Sequence, residues 1–161
     1  MREAAARLAC LLLGLLTGAM LFVGDVLVPF WSSMSPGDFV AWFAVNAPRI
    51  RALMVPLGAT AGLASVSAVM LGHVDPPARR VWQGAAGIAA VVVVALTVLV
   101  LEPMNARLLA APALAPDEVV ALLGDWRRWH LLRAGFGLAG FYCAVRAVGS
   151  PSAADAARRA A

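Results

Sequence analysis

Apolar positions along this chain fall into long blocks instead of the short alternations of a soluble domain. Four blocks, at residues 8–30, 52–71, 81–101 and 131–148, carry few charges. Each approaches the ~20 residues that a helix needs to cross the hydrocarbon core of a bilayer. The third, VWQGAAGIAAVVVVALTVLVL, has no charge at all. The pattern predicts an all-α fold: an integral-membrane four-helix bundle forming one domain over residues 1–161. The connections are unequal. HVDPPARR, between the second and third blocks, is tight and polar. The other two, WSSMSPGDFVAWFAVNAPRIR and EPMNARLLAAPALAPDEVVALLGDW, are long, and each contains a helix start, at Ser35-Pro36 and at Pro116-Asp117-Glu118. They predict a short extra helix in each of those loops. The Ser/Ala/Arg tail over 150–161 reads as frayed.

Composition supports the membrane class. The chain is 62% hydrophobic and 14% charged, with mean hydropathy +0.84, too little polar surface for a soluble domain of this size. All basic residues are arginine, and the net charge is +4. These arginines are scattered between apolar blocks and form no basic stripe, so nucleic acid is not the expected partner. Cys10 and Cys143 sit inside apolar blocks and read as small buried residues, not a disulfide. Leu8-Ala9-Cys10 resembles a lipoprotein cleavage site, but its cysteine precedes the apolar stretch; the first block therefore reads as an uncleaved helix. Arg79 and Arg80 in the short loop argue for an inner-membrane protein with both termini cytoplasmic.

The small residues suggest which helix faces pack, because only they let membrane helices approach closely. Gly14 and Gly18 begin a stripe that runs through Leu21 to Asp25. Gly58, Gly62 and Ser65 lead back to Arg51. Gly84, Gly87, Val91 and Val98 lead on to Glu102 and Asn105. Gly137, Gly140 and Ala144 lead back to Arg133, His130 and Trp126. All four stripes end in a polar group at the same, extracytoplasmic, end. This predicts inward-facing glycine pairs and a pocket where Asp25, Glu102, Arg51 and Arg133 neutralise one another. Each residue also has an ordinary reading. Asp25 and Arg133 lie near enough to helix ends to reach interfacial water, and Trp126 and Trp129 fit an aromatic belt. His73 and Arg146 read as interfacial.

One histidine with one or two carboxylates makes an incomplete metal shell, so no metal or cofactor is expected. Proton chemistry remains. A histidine one turn from an arginine suits abstraction of an acidic C–H proton, with the cation holding the resulting oxyanion.

Pro103-Met104-Asn105, followed by Arg107-Leu108, and the Trp-x-x-Trp-His-x-x-Arg that opens the fourth block together resemble the anthrone oxygenase-like family of small four-helix membrane proteins. The first loop is similar too, with a Pro29-Phe30 exit and a helix ending near Asn46. The resemblance implies oxidation of polyketide anthrones to anthraquinones with dioxygen as co-substrate and without metal or flavin. It places His130 and Arg133 in a His-x-x-Arg motif and Asn105 in a Pro-x-Asn motif. His130 is then the expected base, with Arg133 and Asn105 stabilising the oxyanion. Trp126, Trp129, Trp42 and Phe43 become candidate walls for a flat lipophilic aromatic, and Asn46, Asp25, Arg51 and Glu102 further binding groups. Two rivals stand beside this reading: a non-enzymatic accessory or scaffold protein with a structural charge cluster, and a small transporter using Asp25. Homo-oligomerisation is open.

Overall fold

The computed structural model describes residues 1–110, 114–152 and 158 of the chain. Those residues are helical apart from short connections, and they form four helices long and apolar enough to cross a membrane: α1 Arg2–Ser32, α2 Pro36–Val74, α3 Pro77–Leu109 and α4 Pro116–Gly149. This is a membrane protein. Each helix packs against the next in chain order, and α4 closes the ring against α1. Both termini therefore lie at one end. The apolar stretch of α2 is the least buried of the four.

The two helix starts expected in the long loops are present, but the helices they open do not stop. Ser35 caps α2, accepting from the Asp38 N–H at 3.2 Å, with Pro36 at the first helical position. From there one helix continues to Leu71, through Pro48 and Pro56, and ends in a 3₁₀ turn at Gly72–Val74. Pro116 likewise opens a helix that runs unbroken to Gly149, with the Glu118 carboxylate accepting from the Ala115 N–H at 2.9 Å. The extra helices are thus extensions of the second and fourth spans. They bury an aromatic-rich second core, in which Trp31, Phe39, Phe43, Leu108, Val119 and Trp126 meet. The tail expected to fray over 150–161 lies mostly outside the described residues.

Two π-helical turns, Val23–Leu27 in α1 and Thr97–Leu101 in α3, overturn part of the stripe reading. Buried positions on α1 advance by three or four from Ala6 through Leu13 and Met20 to Val23, then jump five to Val28. A π turn bonds i to i+5, so it adds a residue and rotates everything beyond it. Asp25 falls inside that turn and is exposed, with no ion pair among the described residues. Gly18 is also exposed, and a Cβ there would meet nothing within 4 Å. Val91 is exposed on α3, while Val98, also exposed, lines the rim of the cavity at that end. Gly14 does pack inward, its missing Cβ only 2.9 Å from the Phe141 ring, and Gly62 faces Val94. Gly137 and Gly140 are the tightest contacts of α4, against Met20 and Ala89.

The end bearing the termini is not dry. Arg79, 1% exposed, pairs with Glu3 at 2.9 Å and Asp75 at 3.3 Å and donates to the Ser150 carbonyl at 3.3 Å. Gln83 donates to the same Asp75 carboxylate at 3.2 Å. Instead of lying in a solvated loop, Arg79 ties the start of α1, the α2–α3 connection and the end of α4 together. Cys10 and Cys143 are free thiols packed at the central core.

Candidate functional site

At the other end the bundle holds a partly open cavity of about 390 Å³, within the ~300–1,000 Å³ range of small-molecule sites. Its wall is apolar over most of its area. Met20, Val23 and Trp31 contribute from α1, Phe43, Met54 and Gly58 from α2, Val93 and Val94 from α3, and Trp126 from α4. Five polar side chains interrupt that wall: Arg51, Thr97, Glu102, Asn105 and Arg133. A second cleft, of about 640 Å³, lies between α2 and α3 and shares Arg51, Glu102 and Asn105 with the cavity.

The polar groups form two connected sets. In the first, the Trp126 indole N–H donates to Asn105 Oδ1 at 2.9 Å, and Asn105 Nδ2 donates to Glu102 Oε1 at 3.3 Å. Arg51 Nε then donates to Glu102 Oε2 at 2.9 Å. The indole can only donate, so it fixes which way the Asn105 amide points. The ion pair between Glu102 and Arg51 is the part of the expected charge cluster that forms, and it bridges α2 and α3.

The second set is centred on Arg133. Its Nη1 donates to Thr97 Oγ1 at 3.1 Å and its Nη2 to His130 Nδ1 at 2.8 Å. Thr97 opens the α3 π turn and passes its own hydrogen to the Val93 carbonyl at 2.7 Å, leaving its oxygen free to accept from Arg133. His130 Nε2 donates to the Met20 carbonyl at 2.9 Å, next to the α1 π turn. Because a carbonyl only accepts and a guanidinium only donates, this geometry requires the neutral Nε2–H imidazole. The Trp126 ring lies flat on it, centroids 4.8 Å apart and planes 9° from parallel. Arg133 itself forms no ion pair among the described residues. Its Nε has no hydrogen-bond partner there, and neither does the Trp31 indole N–H. A buried cation without a counter-ion is costly, and each unmet buried donor calls for an explanation.

Against the sequence expectations, the structure brings together His130, Arg133, Asn105, Trp126, Arg51, Glu102 and Phe43. It does not bring in Asp25. Trp129 is 41% exposed on the outside of α4. Trp42 packs on Trp31 and Phe30, at 5.6 and 5.9 Å, and is not part of the cavity wall. Asn46 donates to the Trp42 carbonyl at 2.9 Å and also lies off the wall. His130 changes role. It is fully buried, both ring nitrogens are engaged, and it does not line the cavity. The sequence reading missed Trp31 and Thr97. Trp31 touches the rings of Phe39, Trp42, Phe43 and Trp126, at 5.5–6.0 Å. A tryptophan directly after the Pro29-Phe30 exit was its only local signal. Among the described residues no group of three His, Cys, Asp or Glu side chains converges as metal ligands would.

No curated protein and no solved structure matches the chain. The sequence model described as anthrone oxygenase matches residues 40–143 of the 161. That stretch carries Arg51, Glu102, Asn105, Trp126, His130 and Arg133, though not the α1 part of the wall. By that match over more than half its length, the chain belongs to the anthrone oxygenase family.

Proposed function

We propose that this protein is a membrane-embedded oxygenase that oxidises a lipophilic aromatic of the anthrone or quinol type, with dioxygen as co-substrate. The carrying observation is Arg133: a buried guanidinium that forms no direct ion pair among the described residues, with only the more distant Glu102 charge acting on it, on the wall of a mostly apolar cavity. Such a cavity accepts a flat apolar molecule, and the cation completes its pairing when that molecule carries an oxyanion. Deprotonating an anthrone at its benzylic carbon generates that charge on the carbonyl oxygen. A group aimed at charge that develops during reaction accelerates it. The resulting enolate is electron-rich enough to react with dioxygen directly, and the dry wall protects it from water.

Family membership supports this reading, as does the fit of cavity volume to a small molecule. A buried cation with no direct ion pair is not what a purely structural role calls for; the buried arginine at the other end, Arg79, has two carboxylate partners, Glu3 and Asp75. The test is oxygen uptake by the purified protein in nanodiscs with anthrone and, separately, a hydroquinone. Uptake above the protein-free rate that is lost in Arg133→Lys supports the proposal. The absence of such uptake with both substrates would leave the family assignment standing and remove the proposed activity.

A further inference from the structure

We infer that Glu102, not His130, takes the substrate's proton, and that His130 is a positioning residue for Arg133. This rests on the proposed oxidation of an anthrone-type C–H. His130 has no lone pair to offer: its Nδ1 accepts from Arg133, its Nε2 hydrogen is held by the Met20 carbonyl, and the ring is covered by Trp126 and fully buried. Turning it to act as a base would break two hydrogen bonds and a ring stack and leave the Arg133 charge less restrained. Glu102 is the opposite case. Among the described residues it is the one carboxylate on the cavity wall. Its side chain is 28% exposed. The Arg51 ion pair and the Asn105 amide hold it in place on that wall. Each of its oxygens accepts one hydrogen bond in this network, and a carboxylate oxygen has two lone pairs, so acceptor capacity remains.

The division of labour balances. The benzylic C–H bond breaks heterolytically, the proton going to a Glu102 oxygen and the electron pair into an enolate whose oxyanion lies against Arg133. The enolate gives its electrons to dioxygen and forms a C–O bond. The peroxide anion recovers the proton from Glu102. Loss of the remaining C–H proton with cleavage of the O–O bond then leaves a carbonyl and releases water. The net change is CH₂ plus O₂ to C=O plus H₂O. Glu102 ends as it began.

The first step can be read without the rest. In an anaerobic deuterium-oxide buffer, a positioned base exchanges the benzylic hydrogens of anthrone for deuterium, and mass spectrometry counts them. The parent is expected to catalyse exchange, and Glu102→Gln to slow it by ~10²–10⁴-fold, the usual contribution of a general base. Glu102→Gln keeps the size and the acceptor oxygen for Asn105, and retained quenching of tryptophan fluorescence by anthrone would show that the cavity still binds. Glu102→Asp, a carboxylate set back by one methylene, should recover part of the rate. His130→Ala should keep exchange at a reduced rate. Loss of exchange in His130→Ala with full exchange in Glu102→Gln would overturn the inference, as would a parent that binds anthrone and does not exchange it. A parent that exchanges, through Glu102, without consuming oxygen leaves this inference intact and defeats the oxygenase reading instead.

Discussion

Nη2 of Arg133 donates to Nδ1 of His130 at 2.8 Å, from one turn further along the same helix. The imidazole is anchored in turn by the Met20 carbonyl of α1 and roofed by Trp126. The relationship sets the direction of dependence: the histidine is held by the protein, and the arginine is held by the histidine.

Replacing His130 with Ala should therefore act through Arg133. The Met20 carbonyl and Arg133 Nη2 would each lose a buried partner, at about 1–3 kcal/mol apiece, so melting in detergent falls. Turnover at matched folded concentration should also fall, but adding the change to Arg133→Lys should cost little more, because two residues acting as one unit are non-additive. Additive losses in that double-mutant cycle would show that His130 acts independently.

Arg133→Lys should keep the fold and lose catalysis. An ammonium is a point charge and does not reproduce a planar fork held at both ends by Thr97 and His130. The expected loss in kcat is ~10²–10³-fold, as for removal of one oxyanion donor elsewhere. Steady-state kinetics with unchanged thermal stability would bear this out. A variant within twofold of the parent would not be compatible with an oxyanion role.

The glycines separate cavity from packing. A Cβ at Gly58 would meet nothing within 4 Å, and the residue lines the cavity. Gly58→Leu should leave melting within about 0.5 kcal/mol of the parent, like other substitutions that disturb no packing, while sharply weakening anthrone binding. At Gly137 a Cβ would run into Met20 Cε, with Thr17 Oγ1 also close at 3.1 Å, so Gly137→Leu should destabilise by overpacking, about 1–3 kcal/mol or more. Binding titrations and thermal melts on the pair test both statements. Equal effects on stability would mean that the space at Gly58 is not a ligand cavity.

Arg79→Met should do the reverse of Arg133→Lys. Removing the buried cation takes the shared guanidinium away from Glu3 and Asp75 and unties the α2–α3 connection from the start of α1, at a cost of about 3–5 kcal/mol. Oxygen uptake per folded molecule should not change, since the Arg79 cluster lies at the opposite end of the bundle from the cavity.

The spans were legible in the sequence because nothing but bilayer or core accommodates such long apolar runs. His130, Arg133, Glu102, Asn105 and Trp126 were legible because a straight α-helix puts residues three and four apart on one face. The failures have local causes. Asp25 was carried inward along the stripe from Gly14 and Gly18, but Gly18, upstream of the π turn at Val23 to Leu27, already faces out, so the stripe had left the buried face before it reached Asp25. No residue in that turn marks it in advance, since Val, Gly and Leu all sit equally well in an α-helix of a membrane span. Pro48 fell in a connection on the sequence reading, yet α2 runs through it as it does through Pro56. Arg79 looked like a solvated loop charge because its acid partners, Glu3 and Asp75, lie on different segments, and Glu3 is far away in sequence. The inference that Glu102 takes the place of His130 as base has a related origin. Sequence places His130 beside Arg133, but only the fold shows that the Met20 carbonyl takes its remaining nitrogen.

The central claim is that dioxygen reacts with an aromatic enolate held against Arg133, and isotope labelling tests it most directly. The purified protein in nanodiscs would be given anthrone under ¹⁸O₂ in ordinary water, and the quinone product analysed by mass spectrometry against a protein-free control. The account predicts one ¹⁸O in the newly formed carbonyl, at a rate well above the control and lost in Arg133→Lys. Product carrying only solvent oxygen, or product formed no faster than in the control, would contradict it.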